Sequence, residues 1–414
     1  MDELIREKMH EALEVEQPAA YLRTRVMDSL PVGHPARRDW MPSGQLAPGL
    51  IAALLALAVV AGLLYSSGAL NAVIPGRSHP VSPPKLISPE GIVVAPDGTV
   101  YVSDYVGGYV FRLGVDGPRA ITGDGQGGDG GPALSAKLKT PGGLAADRDG
   151  NLFVAEQCQQ RIRRIDRNGT ITTVAGNGPS VCSSGFPTSN NFRGDGGPAI
   201  SAGLTFPLGL AVDKSGALYV GDTGSANVRR IDPNGTISSV DLSSLAIGLS
   251  DPGYLAFDAA GNLYVSDRSL FPTTGSCRIV RITPAGQASV VAGTGTCGFG
   301  GDGGLATAAQ LNDPNGIAFD SAGNLYVADS GNHRIRRIDR SGIITTVAGT
   351  GVAGFSGDRG PGTNAELQWP FGLAMGTGDL LYVAEASCGC TDPKTPGRVR
   401  LLRLSDNLIK TAAG

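Results

Sequence analysis

Residues 314–349 read "PNGIAFDSAGNLYVADSGNHRIRRIDRSGIITTVAG". Four short apolar or alternating runs stand out: "GIAF", "NLYVAD", "RIRRID" and "IITTVAG". Their length and β-branched content mark strands rather than helices. The turns between them have local causes. In Asp320-Ser-Ala-Gly323 the Asp bonds the turn backbone and the Gly takes positive φ. Between the last two strands of other copies, the Asn168-Gly169 and Asn234-Gly235 pairs are two-residue hairpin signals. Both also match the N-glycosylation pattern, although the turn alone accounts for them.

The same wording recurs. Residues 151–176 read "NLFVAEQCQQRIRRIDRNGTITTVAG". A frame of Pro-x-Gly, strand, Asp-x-x-Gly, a strand ending in an acid, an Arg-bearing strand and a last strand fits six times. It starts at Pro89, Pro141, Pro207, Pro252, Pro314 and Pro370. The first copy has "RLGVDG" where the Arg-rich strand belongs, and the last has "GTGD" for the Asp-x-x-Gly turn. One four-stranded sheet cannot bury both its faces, but six in a ring cover one another. The expected fold is all-β, a six-bladed β-propeller over residues 88–414. Ring closure is expected from side-chain packing between the first and last copies. "PKLIS", before Pro89, would pair into the final blade only if that blade were incomplete.

Composition agrees with this. Gly supplies 62 of 414 residues, about double its usual share. Lys plus Arg number 34 against 37 Asp plus Glu, so no basic excess points to nucleic acid. The exception is Leu46–Leu70, "LAPGLIAALLALAVVAGLLYSSGAL", inside an uncharged stretch between Asp39 and Arg77. As a helix it would span roughly 37 Å, enough for a bilayer core. A cleaved signal peptide has a much shorter leading segment than the 45 residues here. The expected organisation is a cytoplasmic segment 1–45, a transmembrane helix 46–70, a Pro-rich linker 71–87 and the propeller. Arg23, Arg25, Arg37 and Arg38 precede the apolar run and only Arg77 and Lys85 closely follow it. That asymmetry places the N-terminus in the cytoplasm and the propeller outside, in the cell membrane as a single-pass protein.

The six cysteines, Cys158, Cys182, Cys277, Cys297, Cys388 and Cys390, all fall in loops of the propeller's expected upper face. Outside the cytoplasm they are expected as disulfides. Cys158 with Cys182 and Cys277 with Cys297 sit at similar offsets. Cys388 and Cys390 remain, either as a strained Cys-x-Cys bridge or as metal-binding thiols without an accompanying His.

The phrases "GNLYVADSGNHRIRRI" and "GIITTVAGTG", with the linker pattern beginning at Gly194, resemble the bacterial NHL-repeat family of β-propellers. The resemblance runs from about Ser88 to the C-terminus. It implies a propeller that is either a binding module or, as in a few relatives, an enzyme. Peptide-amidating lyases of this type hold zinc through several His, whereas His333 is the lone His within the repeats here. Lactonase or streptogramin-lyase chemistry, metal-dependent and set in the channel, is the alternative. Membrane attachment also resembles the sensor propellers of bacterial receptor kinases, but no kinase motif is present.

Candidate sites follow from the frame. The links before copies two, three, five and six carry Asp129, Asp195, Asp302 and Asp358 in Gly-rich runs. Calcium is the ion they would take, yet it wants six or more oxygens and each loop offers few; an Asp bonding its own turn is the simpler expectation. Each second strand ends in an acid: Asp104, Glu156, Asp222, Asp267, Asp329 and Glu385. Pairing with Arg161, Arg229, Arg334 or Arg398 of the next strand, or with loop amides, is expected of them. Recognition is expected where the repeat breaks at the channel mouth. After each Pro stand Glu90, Gly142, Leu208, Gly253, Asn315 and Phe371, with Tyr254 at a usual Gly position and Trp369 before Pro370. Glu90, Tyr254, Asn315, Trp369 and Phe371 are thus the expected ligand contacts, for an extracytoplasmic protein, peptide or glycan.

Overall fold

The computed structural model describes residues 84–123, 125, 128–178, 192–246, 248–268, 276–386 and 397–414. The expected cytoplasmic segment, transmembrane helix and most of the linker lie outside them. No helix among the described residues is long and apolar enough to cross a membrane.

The six repeats are six four-stranded sheets, each a meander of antiparallel neighbours in chain order. In blade 5 the strands are Pro314–Phe319, Leu325–Asp329, Arg334–Ile338 and Ile344–Ala348, within a residue or two of the runs read from sequence. The inner strands are Pro89–Val94, Pro141–Ala146, Pro207–Val212, Pro252–Phe257, Pro314–Phe319 and Pro370–Met375. Each touches the next around the ring, and the sixth touches the first. Blades 1 and 4 therefore face each other across the channel.

Alternation builds the core. In "LYVAD" of blade 5, Leu325 and Val327 enter a cluster with Ile279 and Leu311, while Tyr326 and Ala328 enter the next cluster with Leu373 and Leu381. Each sheet thus lends one face to the blade before and one to the blade after.

Ring closure uses the same device. Leu86, Ile92, Val102 and Phe111 pack with Ala374, Ala384 and Val399. All four strands of the last sheet come from the last repeat. The "PKLIS" segment stays out of the ladder but stitches the joint: Leu86 is buried in that cluster and Gly397 donates its N–H to the Ile87 carbonyl at 2.7 Å.

Inner strands approach so closely that side chains are excluded at the Pro-x-Gly glycine. A Cβ on Gly91 would lie 2.3 Å from the Gly142 carbonyl oxygen, and one on Gly209 would lie 2.2 Å from that of Gly253. Blade 4 alone has a side chain at this level, that of Tyr254.

Candidate functional site

The repeated charges come first, because they account for most of the acids. The register pairs Val154 with Arg163, Val220 with Arg229, Val327 with Arg336 and Val383 with Arg400. These four arginines are buried, and each lies between two carboxylates. Arg163 meets Glu156 at 3.1 Å and Asp129 at 2.7 Å. Arg229 meets Asp222 at 3.8 Å and Asp195 at 2.5 Å. Arg336 meets Asp329 at 3.0 Å and Asp302 at 2.7 Å. Arg400 meets Glu385 at 3.7 Å and Asp358 at 2.9 Å. The second oxygens of Asp195 and Asp302 accept from Ser239 and Thr346 of the outer strands.

The link Asp residues therefore neither bond only their own turns, as expected, nor stand open. They pin each Gly-rich link to its blade. The link backbone completes the pin: Gly303 donates to Ile344 and Ile344 to Gly304, so the link shields the outer strand's edge. Where blade 1 has Phe111 and blade 4 has Val280 at the arginine position, the preceding chain has no such Asp motif.

The second-strand acids also hold the turn before each inner strand. Asp104 accepts from Ile87 and Ser88, Glu156 from Lys139, Asp222 from Thr205, Asp267 from Ser250 and Asp251, and Asp329 from Asn312. Their partner differs from expectation in blade 5. In blade 5 the ion pair comes from Arg336, whereas Arg334 donates to the Asn332 and Thr350 carbonyls and lies over the Phe299 ring. In blade 6 Arg400 lies 3.7 Å from Glu385, which is also paired in register with Arg398. In blade 4 Arg278 meets Asp267 at 2.9 Å. Burial raises the carboxyls of Asp222 and Asp329 to about 6 and that of Glu385 to about 8, despite the nearby guanidinium groups.

The repeat-breaking residues gather at the channel mouth. In blades 1, 2, 4, 5 and 6 the turn residue before the inner-strand Pro accepts a backbone bond from the residue after the acid, as between Asp251 and Arg268 at 3.0 Å, and in blade 3 Gly224 donates to Thr205 instead. Three positions per blade thus meet at one level: before Pro, after Pro and after the acid. Glu90 of blade 1 accepts from Gln157 Nε2 of blade 2 at 3.1 Å. Arg268 of blade 4 donates to Asn315 Oδ1 of blade 5 at 3.1 Å and to Asp251 at 3.2 Å. Asn315 donates to Asp313 and to Ser330 Oγ. Glycines make room for the long side chains: a Cβ on Gly142 would lie 2.5 Å from Gln157 Nε2, and one on Gly253 would lie 2.7 Å from Arg268 Cδ.

Glu90 and Arg268 are close enough across the channel to interact electrostatically, and both act on Tyr254. Burial raises the Glu90 carboxyl to about 7, against the opposing pull of Arg268 and Gln157. Tyr254 is 8 % exposed and its hydroxyl has no hydrogen-bond partner among the described residues. Burial and Glu90 likewise raise the half-buried Tyr105.

Three of the five expected contacts, Glu90, Tyr254 and Asn315, thus belong to one cluster. Trp369 instead packs edge-on against His333, centroids 5.1 Å apart, and Phe371 is half-buried at the start of the sixth inner strand. His333 is half-buried, and burial and Arg334 lower its pKa from the ordinary value. Sequence reasoning missed Gln157, Arg268 and Tyr105. The signal was there, since all three directly follow a second-strand acid and differ from blade to blade.

Cys277 and Cys297 form the expected disulfide, with Cα atoms 5.3 Å apart. Cys158 is also disulfide-bonded. Cys182, Cys388 and Cys390 lie outside the described residues. Among the described residues no three His, Cys, Asp or Glu side chains group as a metal site.

Six radial meanders with a polar channel mouth define a β-propeller of NHL repeats. The teneurin NHL domain family model matches residues 116–191, 179–241 and 197–356, together more than half of the chain. The chain belongs to this NHL-repeat propeller family. It is 29% identical to human Teneurin-4 over 334 residues, covering 73% of this chain and 12% of that protein. It is 32% identical to mouse Teneurin-1 over 250 residues, 52% of this chain and 8% of that protein. The chain thus spans about a tenth of the length of these relatives. Among solved structures, a Bacteroides thetaiotaomicron protein of unknown function superposes with a TM-score of 0.54 at 20% identity, covering 73% of this chain and 68% of that one. An auxiliary nutrient binding protein from the same organism gives 0.51 at 14% identity, over 72% and 67%. At those identities the likeness is one of fold.

Proposed function

We propose that this chain is a membrane-anchored recognition propeller, held by residues 46–70 with its N-terminus in the cytoplasm, whose extracytoplasmic channel mouth binds a protein, peptide or glycan. One observation carries the site. The repeating acids and arginines are engaged in holding the blades together, whereas the non-repeating Glu90, Gln157, Tyr254, Arg268 and Asn315 converge at one end of the channel, with a buried tyrosine hydroxyl left unpartnered among the described residues. A polar group kept buried without a partner costs stability, and a bound ligand would supply the partner. The apolar run and its flanking arginines support the anchoring. Its test is binding of the full chain to peptide and glycan arrays, compared with Tyr254→Phe and Arg268→Gln variants. Loss of the same signals in both variants supports the mouth as the site, and signals indifferent to both refute it.

A channel enzyme is the second reading, favoured by Glu90, whose raised carboxyl suits proton transfer near neutral pH. Turnover of an array ligand, lost in Glu90→Gln, would establish it.

A further inference from the structure

The outer edges of the six sheets are not closed alike, and one aligned position shows it. In blade 5 that position is Ile344, opposite Ile338. On its free side Gly303 donates to the Ile344 carbonyl at 2.8 Å, and Ile344 donates to the Gly304 carbonyl at 3.0 Å. Ile171, Ile237 and Ile409 make the same pair of bonds to their own links. All four isoleucines are 0 % exposed. The covering segment runs antiparallel, as between Leu305 and Ile343. In blade 1 the position is Pro118, opposite Leu113, with Arg119 next to it. Proline offers no N–H, and a proline and a charge close a sheet edge to further strands.

Among the described residues blade 4 shows neither device. Its position is Ala288, opposite Ile282. The Ala288 N–H goes to a side chain, Ser244 Oγ, at 2.8 Å. Its carbonyl has no partner among the described residues, nor has the free side of Val290, two residues on. In blade 3 the counterpart of Val290 is Ser239, whose N–H is taken by Asp195 at 3.1 Å. Ala288, Ser289, Val290 and Val291 are all partly exposed. Residues 287–292 contain no charge and no proline. Val280 stands where the covered blades have the arginine that holds the link Asp, so no ionic pin forms here.

We propose that the outer edge of blade 4 binds an extended segment of a partner protein, which joins the sheet as a fifth, antiparallel strand. The segment donates to the Ala288 and Val290 carbonyls and accepts from the Val290 N–H, and it displaces Ser244 from Ala288. Four other blades support this occupant, because the same edge takes an antiparallel backbone segment in each of them. The edge also sets the segment's chemistry. Its centre is uncharged, since Val280 offers no counter-charge to an acid. It has apolar residues at alternate positions, which extend the cluster in which Ala288 and Val290 pack with Leu242 and Leu245. This site is distinct from the channel mouth and does not depend on it.

The probe is the capped peptide Lys-Thr-Val-Thr-Val-Thr-Lys, its terminal lysines added for solubility. It is mixed with the full chain in detergent micelles, and amide hydrogen exchange is read residue by residue. At about ten times the peptide's Kd the Val290 amide exchanges about tenfold more slowly. The Thr346 amide, on the covered edge of blade 5, is unchanged. The same peptide N-methylated throughout keeps its side chains but loses its donors, and it leaves Val290 unprotected. Ala288→Pro gives blade 4 the residue of blade 1 and abolishes the effect while the melting temperature is kept. Should that variant fail to fold, the N-methylated peptide on the unmodified chain decides. No protection of Val290 at about 5 mM peptide, weaker than any useful affinity, overturns the proposal. Equal protection by the N-methylated peptide, or in folded Ala288→Pro, does so too. Protection that rises with protein concentration without peptide, with a doubled mass in ultracentrifugation, marks a second copy as the occupant and also overturns it.

Discussion

Arg336 donates to Asp302 at 2.7 Å across 34 residues of sequence, and so ties the Gly-rich link to the third strand of its own blade. The same guanidinium reaches Asp329 at 3.0 Å. It neutralises a buried acid on one side and anchors a link on the other. Arg163, Arg229 and Arg400 repeat the arrangement in three more blades.

Removing the arginine strands a buried carboxylate. Arg336→Ala is expected to cost about 3–5 kcal/mol, the usual effect of breaking a buried pair. Asp302→Ala removes only the half-exposed partner and should cost about 1 kcal/mol. The loss in Arg336→Ala should shrink at acid pH, where Asp329 can take a proton. Urea denaturation of both variants at pH 5 and pH 8 checks this.

Glu90 gives a stability effect of definite sign. Burial raises its folded carboxyl to about 7, above the ordinary glutamate value of 4.5. Its favourable contribution is complete below about pH 4.5 and is lost as pH rises through 7. Glu90→Gln keeps the hydrogen-bonding shape without the charge. Its stability relative to wild type should therefore grow from pH 5 to pH 8, by up to about 3 kcal/mol. Thermal melts across that range would show it, and a constant difference would contradict it.

The Cys277–Cys297 bond closes a loop of 20 residues in sequence separation. Chain entropy gives such a cross-link about 3 kcal/mol. The double variant Cys277→Ala/Cys297→Ala should lose an amount of that order in denaturant titration.

Gly316 faces the Phe371 carbonyl oxygen, which a Cβ would approach to 2.3 Å. That oxygen and the Leu373 nitrogen, 2.5 Å from the same Cβ, are backbone, so neither can turn aside. Gly316→Ala should destabilise the ring by more than about 2 kcal/mol, the cost of overpacking a rigid site. Gly342→Ala, in a turn with open space around it, tests the separate cost of positive φ.

Blade number, strand order and turns were legible because each rests on local chemistry repeated six times, as in Asp320-Ser-Ala-Gly323. Ring closure was legible too, since the last repeat already contains four strands. The partners of the acids were read less well. Arg334 and Arg336 lie on the same strand, and only packing decides which one is buried against Asp329. The role of Asp302 was invisible for a similar reason: its partner lies on a strand distant in sequence. The mouth was half legible. Glu90 and Asn315 vary after the inner-strand Pro and Tyr254 replaces the usual Gly, whereas Gln157 and Arg268 stand after the second-strand acid, where no repeated residue sets off the change. Their reach into neighbouring blades depends on the glycines at 253 and 142.

The central claim is that the non-repeating channel mouth, and not the repeating scaffold, recognises a ligand. Array binding of the full chain and of Arg268→Gln, with Asp302→Ala as a scaffold control of retained fold, tests it most directly. Signals lost in Arg268→Gln and kept in Asp302→Ala are predicted; signals kept in Arg268→Gln, or lost equally in both, would contradict it.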